Sequence, residues 1–319
     1  MNASPTPEPT PGPGSEFGPA LGSGPEPGPG PLHGLDSTAQ LMTRLTAQLH
    51  TQLASVRPRP APTLVAVAHG SRDPGALATV TALLTSVRAL RPGLRVELGH
   101  IELNEPRLPQ TLSALRARGE VVLVPLLFGR GHHVKHDIPR ALAAASHLRG
   151  RVSEPIGPHP LLAEALHDRL TEAVRRAGSL QAEDGLRGGE AAHGQAAPDA
   201  VVLASAGSRD PESAEGAQRI AAALRERLGG TTPVLPGYAS AARPTVAEAV
   251  QILRAAGHSR IALASCFTAP GHFAARCAAA APWTAAAPIG AHPALARLVL
   301  HRYDEVRAAT ATGRRLVHA

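Results

Sequence analysis

Aromatic residues are scarce in this chain. Four Phe, two Tyr and one Trp make up 2% of its 319 residues, so any core must be built from Ala, Leu and Val. Lysine is scarcer still, with Lys135 the only one among 32 basic residues. Cysteine is limited to Cys266 and Cys277, which excludes a disulfide framework, and no Cys-x-x-Cys motif occurs. No run of about 18 apolar residues escapes interruption by charge or proline, so no membrane span is expected. A charged start followed by an apolar core is missing at the N-terminus, so no secretory signal is expected and a reducing cytoplasm is the default location. The net charge of +7 comes without a basic stripe, zinc-finger spacing or an aromatic-basic ribonucleoprotein signature. Nucleic acid is therefore not an expected partner. A small polyanion fits the same charge if arginines converge on a pocket.

Shifts in composition divide the chain. Residues 1–34 are an expected disordered tail: 17 of the first 32 are Pro or Gly, too little apolar material to offset chain entropy. An amphipathic helix and linker are expected over 35–60. Leu41, Leu45, Leu49 and Leu53 recur at four-residue spacing within Asp36–Val56, and Arg57-Pro58-Arg59-Pro60 ends the pattern. Packing on the folded body is the plain reading of this helix, with dimerisation the alternative. From 61 to 178, strand-length apolar runs alternate with amphipathic segments of helix length. Strands are expected at Thr63–Ala68, Arg95–Ile101, Val121–Leu127 and Arg151–Ile156, and helices at about 75–90, 106–117, 138–148 and 161–177. A polar Gly-rich linker is expected at 179–198, a second unit of the same order at 199–310, and a tail at 311–319. The fold class is α/β, each unit a parallel four-stranded sheet flanked by helices.

The two units repeat one another. His69-Gly70-Ser71-Arg72-Asp73-Pro74 returns as Ala206-Gly207-Ser208-Arg209-Asp210-Pro211, an offset of 137 with only the histidine lost. Pro106 to Pro244 gives an offset of 138, Gly131-His132 to Gly271-His272 gives 140, and Ile156-Gly157-Pro158-His159-Pro160 to Ile289-Gly290-Ala291-His292-Pro293 gives 133. Four ordered landmarks at nearly constant spacing establish an internal duplication. Two such units pack about a pseudo-twofold axis, and the cleft between them is the expected ligand site.

Ligands of parallel sheets collect beyond the carboxyl ends of the strands. His69 directly follows the first strand, Gly70 permits the tight turn there, and the next helix aims its free N–H groups at the same place. A turn closed by Asp73 as helix cap explains the five retained residues. It does not explain His69, because Ala206 serves the turn equally well. After the third strand, the run Gly129–Pro139 carries His132, His133 and His136, with Asp137 next. A histidine cluster alone is a weak signal, but this one falls at the same sheet edge as His69. Two imidazoles with open coordination positions suit a divalent first-row metal held transiently.

The His-Gly-Ser-Arg loop, followed by Pro-Leu-Leu-Phe-x-x-Gly-x-His-Val-Lys-x-Asp-Ile-Pro after strand three, resembles the class II chelatases. Within them it is most similar to the sirohydrochlorin chelatases, including the CbiX-like cobaltochelatases, over about residues 62–310. The resemblance implies two tandem chelatase-like domains facing each other across a tetrapyrrole-binding cleft. It implies that His69 and His133 bind the metal and are catalytic, with Glu102 as a further catalytic carboxylate and Ser240 at its counterpart position. His132 is then a neighbour of the ligand. Arg72, Arg130, Arg209 and Arg243, each after a strand end, are the expected substrate-binding residues together with Ser71, guanidinium being suited to the substrate's carboxylates. The implied reaction inserts a divalent metal, ferrous iron first, into sirohydrochlorin to give sirohaem, with release of two protons. Cobalt insertion toward cobalamin is the alternative. The metal, Fe2+ or Co2+, is a substrate, and neither a permanently bound cofactor nor an iron–sulfur cluster is expected. Expected partners are the tetrapyrrole and the metal, without nucleic acid or membrane, for a monomer or homodimer.

Two rival functions fit parts of the pattern. A non-enzymatic metal or tetrapyrrole carrier uses the same residues but predicts binding without rate enhancement. Phosphoryl transfer uses a histidine loop before a helix, but phosphohistidine phosphatases want Arg immediately before His69, where Ala68 stands.

Overall fold

The computed structural model of the chain describes residues 42–49, 60–188 and 197–317. These fall into two units, one ending at Arg59 and the other starting at Pro60. In the first unit, residues 42–49 are helical (α1), and Met42, Leu45 and Leu49 are exposed. The rest of the expected 35–60 helix and linker, the 1–34 tail, and residues 189–196 of the expected linker lie outside the described residues.

In the second unit the first half contains β1 (Thr63–Ala68), α2 (Pro74–Leu90), β2 (Val96–His100), α3 (Leu108–Ser113), β3 (Glu120–Pro125), a π-helical turn (His133–Asp137), α4 (Ile138–Ala144), β4 (Arg149–Val152) and α5 (Pro160–Gly188). The second half repeats the order with β5 (Ala200–Ser205), α6 (Pro211–Arg227), β6 (Val234–Tyr238), α7 (Val246–Ala255), β7 (Ile261–Ser265), α8 (His272–Ala279), β8 (Thr284–Ala285) and α9 (Pro293–Val317). Each half forms a four-stranded parallel sheet, ordered β2-β1-β3-β4 and β6-β5-β7-β8.

Parallel sheets are covered on both faces, so their strands read as unbroken apolar runs. Alternate side chains of β1 point to opposite faces. Leu64, Ala66 and Ala68 enter a core shared by both halves, whereas Val65 and Val67 enter an outer core with Leu108 and Leu112 of α3 and Ile138 of α4. The second sheet does the same, with Val201 and Leu203 in the shared core and Val202 facing α7.

The closing helices are exchanged between the halves. The expected helix 161–177 does not close its own sheet: α5 packs on α6, β7 and β8, and α9 packs on α2 and β3. Tyr303 of α9, fully buried, donates its hydroxyl to the Pro62 carbonyl at 2.6 Å. Arg169 of α5 donates to the Ile289 carbonyl at 3.0 and 2.9 Å, and Arg302 of α9 to that of Pro155 at 2.9 Å. Reciprocal exchange is the relation a pseudo-twofold generates. Both helices also outrun their expected ends. α5 continues to Gly188, inside the expected 179–198 linker, and α9 to Val317, inside the expected 311–319 tail.

Other boundaries move for local reasons. The fourth strand is Arg149–Val152 rather than Arg151–Ile156, because Pro155 has no N–H to extend the ladder and Ile156 turns into the core. α3 is shorter than the expected 106–117, since the Pro106 carbonyl accepts the His100 backbone N–H at 3.0 Å and belongs to the returning loop.

Candidate metal and substrate site

Three connections leave the carboxyl edge of the first sheet and meet. The turn after β1 carries His69 and is closed by Gly70 at φ +99°; a Cβ there would fall 1.8 Å from the Glu102 carbonyl oxygen. Only glycine permits that approach. It clamps the loop after β1 onto the loop after β2, where the Glu102 N–H donates to the His69 carbonyl at 3.0 Å and the Ser71 N–H to the Asn104 side chain at 2.6 Å. The Asp73 carboxylate then accepts from Gly75 N at 2.8 Å and caps α2. The turn after β3 brings in His133.

His69 Nε2 lies 3.1 Å from Glu102 Oε1, and its Nδ1 lies 3.2 Å from the Gly70 carbonyl oxygen. Both ring nitrogens therefore face acceptors. A neutral imidazole donates from one nitrogen only, and in the tautomer that donates Nδ1–H to Gly70 the Nε2 lone pair faces the carboxylate, an arrangement that can share a metal ion. The His133 ring stands edge-on to that of His69 at 5.0 Å between centroids. Its Nδ1 is held 2.6 Å from Asp137 Oδ2, which leaves Nε2 open. One ligand atom each from His69, Glu102 and His133 lies within 4.8 Å of the others. An ion bound at about 2.1 Å by each group keeps its ligand atoms within roughly 4.2 Å of one another, so only a small contraction is needed. His132 is largely exposed, its ring 6.3 Å from that of His133.

The second half keeps the scaffold of this site without its chemistry. Gly207 has φ +86°, the Ser240 N–H donates to the Ala206 carbonyl at 3.0 Å, and the Asp210 N–H donates to the Ser208 hydroxyl at 3.1 Å, as the Asp73 N–H does to that of Ser71. Ala206, Ser240 and Phe273 stand where His69, Glu102 and His133 stand in the first half.

Between the halves lies a cavity of about 1280 Å³, above the roughly 300–1,000 Å³ of ordinary small-molecule pockets. His69, Glu102 and His133 lie on one side, with Ala206, Ser240 and Phe273 opposite. Ser71, Arg72 and Arg209 also line it, as do the apolar Leu77, Leu103 and Phe128. Arg130 and Arg243 do not. Arg130 is forked onto Glu154, with Nε 2.8 Å from Oε2, and Arg243 is paired with Glu248. Their donors are engaged by the carboxylates of Glu154 and Glu248, which are not among the lining residues.

Lys135, the only lysine, ties the π-helical turn to the opposite half, 2.7 Å from both Asp210 Oδ2 and Glu212 Oε1. The hydrogen bond to Asp210 raises the lysine's pKa and lowers that of the aspartate. Burial lowers the pKa of His100, whose Nδ1 lies 3.1 Å from the Pro106 carbonyl oxygen. Full burial pushes the Cys266 thiol up to about 12, so this lining residue stays protonated and is a poor metal ligand. Asn104 and Asp137 were missed by sequence reasoning. The carboxylate four residues after His133 was the available signal, but an aspartate before Ile-Pro reads first as a helix cap.

Fold and site geometry together describe a duplicated α/β protein with one asymmetric cleft, lined by a two-histidine, one-carboxylate group that could hold a metal and by an arginine from each half. The chain belongs to the CbiX family, whose model matches residues 63–173 and 200–306. It is 38% identical over 82 residues to a sirohydrochlorin cobaltochelatase of Sulfurisphaera tokodaii, a span of 25% of this chain and 68% of the relative. To the Methanococcus aeolicus protein of the same name it is 36% identical over 81 residues, 25% of this chain and 57% of the relative. Among solved structures, SirB from Bacillus subtilis with Fe3+ matches with a TM-score of 0.59 at 23% identity, covering 79% of this chain and 98% of SirB. The likeness to SirB shows the shared fold. No helix among the described residues is long and apolar enough to cross a membrane.

Proposed function

We propose that this chain is a chelatase that inserts a divalent first-row metal into sirohydrochlorin. The observation that carries the reading is the convergence of His69, Glu102 and His133 on one wall of a macrocycle-sized cavity whose facing wall has lost all three. His69 Nε2, His133 Nε2 and a Glu102 oxygen hold the incoming ion and replace part of its hydration shell. As the ion moves to the ring nitrogens, two pyrrole N–H protons leave. The ligand atoms that release the metal regain lone pairs and accept those protons before passing them to water. Arg72 and Arg209, on opposite walls, meet the carboxylates of the macrocycle, and Leu77, Leu103, Phe128 and Phe273 contact its apolar faces. The metal is a substrate, and the product is sirohaem with ferrous iron or cobalt-sirohydrochlorin with cobalt. Two imidazoles and a carboxylate serve either ion. The reading includes a cytoplasmic location, where the free Cys266 and Cys277 stay reduced.

The test is to mix the protein with sirohydrochlorin and either Fe2+ or Co2+ without oxygen and follow the macrocycle's absorbance. A rate well above the uncatalysed one, lost in His69→Ala and His133→Ala, is the expected result. Tight binding with no rate gain would replace the enzyme with a carrier. Parental rates in both variants would remove these residues from the site.

A further inference from the structure

We infer that Asp137 is a positioning residue of the metal site: it fixes the His133 ring and keeps its Nε2 open for the metal. This rests on the metal-insertion reading and extends it by one residue beyond the ligands.

Three independent observations support the assignment. The first is the contact itself, 2.6 Å between His133 Nδ1 and Asp137 Oδ2, within the range of a charge-assisted hydrogen bond. A carboxylate accepts only, so Nδ1 carries the hydrogen, and in the neutral ring that a metal binds Nε2 presents its lone pair. The second concerns what Asp137 does not do. It lies with helical φ −69° and ψ −46° inside a continuous helical run, where the Ile138 N–H already bonds the His133 carbonyl, so no helix start follows it to cap and its carboxylate makes no capping bond. Asp73 and Asp210, at the starts of α2 and α6, both cap their helices. The Asp137 carboxylate faces histidines instead, with Oδ2 2.6 Å from His133 Nδ1 and Oδ1 3.8 Å from His132 Nε2. The third is the duplication. With the offset of 140 set by Gly131 and Gly271, Asp137 corresponds to Cys277, a buried thiol beside Ala274 in α8. The half with Ala206, Ser240 and Phe273 in place of the three ligands has thus lost the aspartate as well. It keeps the capping aspartate Asp210, whose role does not involve the metal.

Local backbone makes the pair possible. His133–Asp137 is a π-helical turn, with the Ile138 N–H bonded to the His133 carbonyl five residues back. In the second half the same stretch is the regular α-helix α8. Among the described residues the wider turn occurs once, where His133 and Asp137 are joined. Irregular turns of this kind gather at functional sites.

Outer-sphere partners of metal-bound histidines typically contribute about 10–100-fold to metal affinity or activity. The experiment titrates Co2+ alone into the full chain and reads the visible ligand-field absorption, for the parent, His133→Ala, Asp137→Asn, Asp137→Ala and Asp137→Cys. Melting temperature is recorded for each. The expected result is a cobalt affinity about 10–100-fold weaker in Asp137→Ala and Asp137→Cys, an intermediate loss in Asp137→Asn, which keeps an acceptor oxygen, and melting temperatures close to the parent. Parental cobalt affinity in Asp137→Ala, with His133→Ala defective, overturns this inference and leaves the metal-site reading standing. A lowered melting temperature with unchanged cobalt affinity overturns it in favour of a helix-starting role. Equal cobalt binding by the parent and His133→Ala overturns the metal-site reading itself.

Discussion

His69 Nε2 and Glu102 Oε1 sit 3.1 Å apart at the ends of adjacent parallel strands, pressed together by a glycine whose Cβ would collide with the glutamate's own carbonyl. The proposed sharing of one metal ion by the two groups predicts strong coupling. His69→Ala and Glu102→Gln should each slow metal insertion on the order of 100-fold. The double variant should be little slower than the worse single one, because groups acting as a unit lose their effect together. Initial rates of the absorbance change give the four corners of the cycle. Fully additive losses would assign the two residues to separate steps.

The arginines separate by location. Arg72 and Arg209 line the cavity, while Arg130 and Arg243 are engaged by Glu154 and Glu248 outside it. Hydrogen bonds to charged groups contribute about 1.5–3 kcal/mol each, so Arg72→Ala and Arg209→Ala should raise KM for the tetrapyrrole roughly 10–100-fold with little change in kcat. Arg130→Ala and Arg243→Ala should leave both constants near parental. Steady-state kinetics over a range of tetrapyrrole concentration makes the comparison, and a KM effect confined to Arg130 or Arg243 would reverse the assignment.

Much of this site was legible because the chain contains its own comparison. Landmarks kept in both halves located the turns, and histidines kept in one half pointed to the candidate site. The strands β1 and β3 were legible for a simpler reason, since burial on both faces leaves an uninterrupted apolar run. The exchange of α5 and α9 was not legible. An apolar stripe records that a helix is covered but not which of two similar sheets covers it, and both stripes end in one shared core. The π-helical turn was hidden for a related reason: His133–Asp137 differs from an α-helix by one hydrogen-bond register, which propensity and periodicity do not encode. For Arg130 and Arg243, position after a strand gives the Cα location, whereas the direction of the guanidinium depends on carboxylates that are distant in sequence or in the next turn, as Glu154 and Glu248 are.

Two histidines give the fold an acid-sensitive component. His159 Nδ1 accepts the Leu161 N–H at 3.1 Å at the start of α5, and His292 Nδ1 accepts the Ala294 N–H at 3.2 Å at the start of α9. Burial, then the neighbouring Arg302 or Arg169, lowers both pKa values. A base with a depressed folded pKa stays neutral while the unfolded chain takes up a proton, so its contribution is complete above about pH 6.5 and declines as pH falls toward the folded value. The limiting slope is about 1.4 kcal/mol per pH unit for each histidine. Asparagine caps helices well without titrating. The His159→Asn, His292→Asn double variant should therefore show a flatter decline in stability between pH 7 and 5, measured by urea unfolding at several pH values. Asp304, held low by its hydrogen bond from Arg91, acts in a separate window, losing its contribution only below about pH 4. An unchanged slope in the double variant would place the acid-sensitive groups elsewhere.

Helix exchange predicts that the halves unfold together. Tyr303, in the second half of the chain, is buried against the first and donates to the Pro62 carbonyl at 2.6 Å. Trp283, the only tryptophan, packs against the shared core just before β8 in the second half. Tyr303→Phe removes the hydroxyl and leaves the half-buried Pro62 carbonyl without this partner, a cost of about 0.5–1.5 kcal/mol. If the exchanged helices join the halves into one cooperative unit, urea unfolding followed by Trp283 fluorescence and by far-ultraviolet circular dichroism should give coincident midpoints for the parent. In Tyr303→Phe both midpoints should shift by the same amount, although the lost bond lies in the opposite half from the fluorophore. A variant whose circular-dichroism midpoint falls while its Trp283 midpoint stays parental would mean that each half is stable without the helix it receives from the other.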